Sequence, residues 1–281
     1  MEQALEQIRQ QQKETWNKFS PGWKKWNTFT MEFLEPMGNA IIGALHLKPT
    51  DIVLDIATGT GEPGLTIAGI VKEGRVVGTD LSDGMLIVAM QNAAKRDVRN
   101  FEAVLADVSQ LPFADNTFDA VSCRFGFMFF PDMLLAAKEM LRVLKPGGRI
   151  ATSVWGTPQE NAWITAMMGP VNEVLQIPPV PPGMPGIFRC AAPGMMEDLF
   201  GQAGFKNITP LIISGEQAFE SREMFWSYNT DVVAPVVAAM SKATDEQKAM
   251  IRAKVMENLQ KLDPSGGTKI PFSATVISAE K

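Results

Sequence analysis

The sequence predicts a doubly wound α/β sheet, and three observations support it. Short apolar runs alternate with helix-patterned segments from Asp51 to Trp155. A glycine turn, Gly59-x-Gly61-x-x-Gly64, joins the first run to the first of these helices. An acid, Asp80, closes the second run. Parallel strands read as nearly unbroken apolar stretches because helices cover both faces of their sheet.

Residues 1–47 are expected to be helical, with a polar stretch to Lys18 and a second, more apolar helix from Phe33 to Leu47. Between them lies a dense aromatic series, Trp16, Phe19, Trp23, Trp26, Phe29 and Phe33. Ile52 to Ile56 is the first strand. A helix then runs to about Lys72, with Pro63 tolerated in its first turn. Arg75 to Asp80 is the second strand. Ser82 is an N-cap, and Met85, Val88 and Ala89 mark the buried face of the helix it starts. Phe101 to Leu105 and Asp119 to Arg124 are the third and fourth strands. Asp132 caps a helix with Leu134, Ala137, Leu141 and Leu144 at helical spacing, and Lys145-Pro146-Gly147-Gly148 stops it. Arg149 to Trp155 is the fifth strand. Residues 156–190 break the rhythm, and the prolines from Ile177 to Gly186 mark a loop. A helix from Met195 to Gly204 and a strand from Phe205 to Ser214 follow. Residues 219–262 are expected to be inserted helices, with a capping box at Thr244-Asp245-Glu246-Gln247 and a buried stripe Ile251, Val255, Leu259 and Leu262. Ile270 to Ala279 is the last strand.

Composition narrows the chemistry. The 281 residues are 46% hydrophobic and 20% charged, with net charge -5. An acidic chain without a basic cluster is not built primarily for nucleic acid or anionic membranes. Two cysteines, Cys123 and Cys190, make neither a disulfide framework nor a thiolate metal site. A single histidine, His46, excludes His-rich zinc chemistry. The polar first residues do not read as a signal peptide, and no apolar run reaches the roughly 20 residues that span a bilayer. The expectation is a cytoplasmic protein with no stable membrane insertion.

The glycine turn lets backbone approach a ligand closely, and a carboxylate at Asp80 can accept both hydroxyls of a ribose. That combination suits an adenosine. It serves nicotinamide dinucleotides and S-adenosylmethionine (SAM) alike, and on its own does not choose between them.

Further motifs do choose. Val53-Leu54-Asp55-Ile56-Ala57-Thr58-Gly59-Thr60-Gly61 resembles the first motif of class I SAM-dependent methyltransferases, with Thr58 where that family often has Cys. Val77-Gly78-Thr79-Asp80-Leu81-Ser82 resembles its ribose-binding motif, and Ala106-Asp107-Val108 its adenine turn. Leu111-Pro112-Phe113 with Asp115, Phe118 and Asp119 resembles the approach to its fourth strand. Leu141-Arg142-Val143-Leu144-Lys145-Pro146-Gly147-Gly148 is similar to the turn before its fifth. The resemblance covers residues 51–155. It is strongest to the ubiquinone/menaquinone C-methyltransferase type (methyltransferase type 11), which Cys123-Arg124-Phe125-Gly126-Phe127 echoes after the fourth strand. Residues 156–262 depart from the short quinone methyltransferases, so the acceptor does not carry over.

The resemblance implies a Rossmann-like seven-stranded sheet with its last strand antiparallel, and SAM as cofactor. The segments outside it are expected to add N-terminal helices, with a lid over 1–47, and an inserted helical lid. A SAM-binding core spans 48–155, a Pro-rich cap 156–190, and the rest of the core 191–281, with its insertion at about 219–262. The implied cofactor residues are Asp55, Ala57, Thr58, Gly59, Gly61, Asp80, Leu81, Met85, Asp107, Val108 and Arg124. Asp55 is expected near the SAM ammonium, Asp80 on the ribose, and Asp107 and the Val108 amide on the adenine. Leu81 and Met85 either sandwich the adenine or pack as helix core. The aromatic N-terminal helix either closes over SAM or packs on the sheet or a partner.

Ligands of open α/β sheets sit at the carboxyl ends of the strands. Segments following strands four and five should therefore wall the acceptor, with Phe127, Met128, Trp155, Phe188 and Trp226 as the expected contacts. Glu160, Asp132, Arg189 and Tyr228 are unranked polarising groups, and no catalytic residue is assigned. His46 precedes the first strand, far from that edge, and reads as structural. The leading function is SAM-dependent methylation of a small aromatic, quinol-like or otherwise apolar acceptor, by a monomer or homodimer without nucleic acid. The alternatives are a SAM-binding scaffold or regulator without methyl transfer, and a nicotinamide dehydrogenase.

Overall fold

The computed structural model describes residues 2–181, 183–264 and 268–281. Two helices open the chain, α1 (Glu2–Lys25) and α2 (Asn27–Leu45). The alternating core comprises β1 (Ile52–Ile56), α3 (Gly64–Ile70), β2 (Arg75–Asp80), α4 (Asp83–Lys95) and β3 (Phe101–Leu105). It continues through β4 (Phe118–Arg124), α5 (Met133–Val143) and β5 (Leu144–Trp155). Then come α6 (Ala162–Leu175), α7 (Met195–Ala203) and β6 (Lys206–Ala218). Last are α8 (Arg222–Val232), α9 (Ala234–Met240), α10 (Asp245–Leu262) and β7 (Lys269–Glu280).

The seven strands form one sheet in the order β3-β2-β1-β4-β5-β7-β6. β1 to β5 are parallel, and β7 runs antiparallel to both its neighbours. Period-two alternation explains why the strands are apolar throughout. Val53, Val76 and Ala120 face one core with Ile41 of α2, Leu65 of α3 and Ala89 of α4. Leu54, Val77 and Val121 face the other, with Met140 of α5 and Phe200 of α7. The chain winds outward from β1 to β2 and β3, then crosses to β4 on the other side. The crevice at this reversal, at the carboxyl ends of β1 and β4, positions the site.

Several elements differ from the sequence reading. The aromatic series is helical, as expected of residues 1–47, with Trp16, Phe19 and Trp23 at the spacing of one helix face; the differences lie further along. α5 buries Ala136, Ala137, Met140 and Val143 instead of Leu134 and Leu141, because small side chains let it lie close to the sheet. Leu144 leaves that helix and starts β5, whose pairing with β4 is interrupted between Phe118 and Ala120. Residues 156–190 contain a full helix, α6, preceded by a capping box between Thr157 and Glu160. β6 continues to Ala218 because β7 pairs with it along its whole length. Leu262 is exposed, so the α10 stripe ends at Leu259.

α1 crosses the carboxyl edge of the sheet and is pinned at two places. Asn17 donates to Asp83 at 2.8 Å and accepts from the Gly84 amide at 3.2 Å, at the start of α4. Lys25 and the Trp26 indole both reach the Asp231 carboxylate on α8, at 2.6 and 2.8 Å. Here the backbones touch, and a Cβ on Gly22 would lie 2.0 Å from the Asp231 carbonyl oxygen. Gly22→Ala is therefore expected to lift α1 from α8. Limited trypsin digestion should cut at Lys13 and Lys18 severalfold faster; an unchanged rate would show that this contact does not hold the helix.

Candidate active site

Two strained turns frame the crevice. After β1 the chain passes through Ala57 at φ +52, and after β4 through Phe125 at φ +61. Non-glycine residues in this region cost about 1–3 kcal/mol and cluster at functional sites. Both residues line one cavity of about 190 Å³.

The glycine turn is braced from beneath. The Thr58 amide donates to Thr79 at 2.9 Å, tying the turn to β2. Gly61 has φ +109, and a Cβ there would meet Leu65 Cδ1 at 2.8 Å. Asp55 accepts from Thr58 Oγ1 and Ser122 Oγ, both at 2.6 Å, and from the Gly64 amide at 3.2 Å. It is fully buried, and burial pushes its carboxyl up to about 6 despite those donors. Asp55 and Gly61 are thus supports of the turn and do not line the cavity.

Asp80 does reach the cavity. One oxygen accepts from the Gly59 amide and the other from the Ser82 amide, each at 2.9 Å. Burial outweighs these donors and pushes its carboxyl up to about 6. A carboxylate offers about four lone-pair sites, so acceptor capacity remains on this group, which lines the cavity. Ala57, Thr58, Gly59, Leu81, Met85, Asp107, Val108 and Arg124 also line it. Met85 is almost wholly buried, so it serves the core as well. Asp107 accepts from the Ser109 amide at 2.8 Å and forms an ion pair with Arg9 of α1.

The opposite wall is aromatic. Phe125 stacks on Trp155 with centroids 4.2 Å apart and planes at 15°. Trp163 lies 4.8 Å from Trp155, and Phe33 lies 5.5 Å from Trp163. Trp16 and Trp23 from α1, Met128, and Val232 and Val233 at the end of α8 also line this wall.

The structure separates the expected acceptor contacts. Met128 and Trp155 line the cavity. Phe127 is fully buried against Phe130 and Phe200, since the short helical turn at 127–129 points it into the core. Phe188 and Trp226 pack on the core beside the cavity, and their neighbours Ile187 and Tyr228 occupy the lining instead. Of the polarising groups only Tyr228 lines the cavity. Asp132 caps α5, Glu160 closes its capping box, and Arg189 donates to the Phe130 and Pro131 carbonyls. His46 ends α2 in left-handed conformation, on the amino side of the sheet. Thr30 and Glu62 also line the cavity and were absent from the sequence reading. No motif marks Thr30, whose place depends on how α2 lies against α8. Glu62 sits inside the glycine turn and was legible there. Among the described residues no three His, Cys, Asp or Glu gather as a metal site, and no helix is long and apolar enough to cross a membrane.

The strand order, the antiparallel β7, the glycine turn and the acid ending β2 give the chain the fold and the crevice seen in methyltransferase domains, to which residues 53–148 are similar. Residues 53–148 match the family described as "Methyltransferase domain". A demethylmenaquinone methyltransferase of Bacillus cereus is 37% identical over 128 residues, 45% of this chain and 49% of the relative. The chain thus spans about half the length of the curated relatives it matches. The fold is similar to a methyltransferase-like protein of Bacillus halodurans, with TM-score 0.59 and 22% identity over 87% of this chain and 98% of that one. It is also similar to a phosphoethanolamine N-methyltransferase of Haemonchus contortus in complex with SAM, with TM-score 0.54 and 18% identity over 87% and 52%. A [4+2]-cyclase shares the fold as well, with TM-score 0.54 and 19% identity over 87% and 79%.

Proposed function

We propose that this chain transfers the methyl group of SAM to a small, apolar, aromatic or quinol-like acceptor. One observation supports the reading above others: a single cavity joins a polar cradle suited to an adenosine to a wall of stacked aromatic rings. The Asp80 lone pairs fit ribose hydroxyls, and the turn at Ala57 to Gly59 presents backbone rather than bulk. Val108 and Leu81 flank the place for adenine, and Asp107 accepts from its amino group when Arg9 yields. The helices of residues 1–47 and the α8–α9 segment act as covers over the two halves. The name of the Bacillus cereus relative favours a quinone-type acceptor.

SAM supplies an activated methyl on a sulfonium: a nucleophile–carbon bond forms, the sulfur–carbon bond breaks, and sulfur keeps the electron pair. The chain's part is alignment, worth up to roughly 7–11 kcal/mol for well-oriented reactants. Phe125 and Trp155 stack a flat acceptor, while Met128, Val232 and Val233 exclude water around it.

The test begins with calorimetric titration of S-adenosylhomocysteine and NAD, and continues with a labelled-methyl assay against a metabolite extract. Binding of the first without any labelled product would favour a SAM-binding protein without methyl transfer; the fold alone does not dictate the reaction, since a [4+2]-cyclase shares it. Once an acceptor is found, Trp155→Leu is expected to lower kcat/KM at least tenfold while cofactor affinity stays within about twofold. His46→Ala should leave both unchanged. A large His46 effect would relocate the active site.

A further inference from the structure

Two hydroxyls, those of Thr30 and Tyr228, stand among the rings of the cavity wall. Helical spacing puts them there. Thr30 shares a face of α2 with Phe33 and Leu34, and all three line the cavity. Phe33 in turn lies 5.8 Å from Trp155 and 5.5 Å from Trp163. Tyr228 stands one turn before Val232 on α8, and both line the cavity. The two hydroxyls meet at 3.4 Å, on side chains that are almost wholly buried. That is long for a bond between hydroxyls, which favour about 2.7–2.8 Å. Among the described residues neither has another hydrogen-bond partner. Two protons serve one bond, so one O–H is left without an acceptor. A buried donor in that state is costly, and a ligand that brings an acceptor removes the penalty.

The Tyr228 ring is held in place. Its centroid lies 5.6 Å from that of Trp26 and 5.0 Å from that of Phe29, and the Trp26 indole is itself tied to Asp231. Burial pushes the phenol up to about 12, against the Thr30 bond and the nearby charge of Arg124, so it keeps its proton and donates. Arg124 ends β4, and among the described residues no carboxylate accepts a hydrogen bond from it; its guanidinium meets Met31 Sδ at 3.1 Å. An unmet donor in a positive field suits an electron-rich oxygen. It does not suit an amine, which brings protons to protons, or a bare hydrocarbon, which offers no lone pair.

Resting on the reading above, we propose that the acceptor carries an oxygen on its ring, and that Tyr228, positioned by Thr30, donates a hydrogen bond to that oxygen. The stacked pair of Phe125 and Trp155 fixes the plane of the acceptor, and Tyr228 fixes its rotation within that plane. Stacking alone leaves a flat molecule free to turn, whereas methyl transfer needs one atom in line with the sulfur. The acceptor class narrows to hydroxylated or keto-bearing aromatic rings. One directed bond selects strongly, because an analogue without the oxygen leaves the donor unpaired.

The test is calorimetry on the full chain saturated with S-adenosylhomocysteine, with naphthol and methylnaphthalene as probes matched in shape. The wild type is expected to prefer naphthol roughly tenfold. Tyr228→Phe should bring that ratio near one by weakening naphthol alone, and Thr30→Val should lower it severalfold. A residue that merely packs would weaken both probes alike and leave the ratio unchanged. A wild-type ratio near one overturns the proposal without any variant. So does a Tyr228→Phe protein, folded by circular dichroism, that keeps the wild-type ratio. If S-adenosylhomocysteine binds and neither probe does, the aromatic-acceptor reading fails and the proposal falls with it. If S-adenosylhomocysteine itself does not bind, the SAM reading fails first. Both results differ from a ratio near one, which leaves those readings standing.

Discussion

Asp80→Ala is expected to weaken S-adenosylhomocysteine binding about a hundredfold with the fold retained. The Asp80 carboxylate would accept two ribose hydroxyls, and hydrogen bonds to a charged group contribute about 1.5–3 kcal/mol each. The variant also frees the Gly59 and Ser82 amides that Asp80 now holds, so part of the loss comes from a looser glycine turn. Asp80→Asn separates the two contributions, since its amide oxygen still accepts one of these bonds. The wild type carries a pH signature as well. Burial raises the Asp80 carboxyl to about 6, and the ribose needs the ionised form as acceptor. Affinity should therefore be flat above about pH 7 and fall as pH drops through 6. In Asp80→Asn the dependence should shrink to what Asp55, also near 6, transmits through the turn. Calorimetry between pH 5 and 8 reads both. Unchanged affinity in Asp80→Ala would make Asp80 a brace and no more.

Phe127→Ala should act on stability, not on acceptor binding. The ring is fully buried, 5.2 Å from Phe130 and 5.5 Å from Phe200. Removing such a ring leaves a cavity and costs about 3–5 kcal/mol. Against a total of about 5–15 kcal/mol this is a large share. Urea unfolding should show a lower midpoint with a similar slope. A variant of wild-type stability and altered KM would return Phe127 to the acceptor wall.

The contrast between Phe127 and Met128 shows where reading from sequence stops. Topology alone places the segment after β4 at the carboxyl edge. Which of two adjacent side chains faces the cavity depends on the short helical turn at 127–129 and on α7 lying beneath it. The same holds for Trp226 and Tyr228 on α8: periodicity says that they point differently, but only the packed helix says which points in. Asp55 illustrates a subtler limit. The sequence shows an acid at the end of β1 and not that, on the α3 face of β1, it accepts from Thr58, Ser122 and Gly64.

The sequence by itself determined the alternating core from β1 to β5, the glycine turn, Asp80 at the end of β2 and the Ser82 and Asp132 caps. These are local features, fixed by apolar runs, by backbone geometry that glycine permits, and by side chains bonding amides two or three residues away. The tertiary structure alone decided that α1 pairs Arg9 with Asp107, that Thr30 and Tyr228 meet, and that Arg124 faces the cavity without an acid. Each of these joins residues far apart in the chain, and their contact depends on how helices pack over the sheet edge. Burial, strain and unpaired charge arise only once that packing exists, and no pattern along the sequence encodes them.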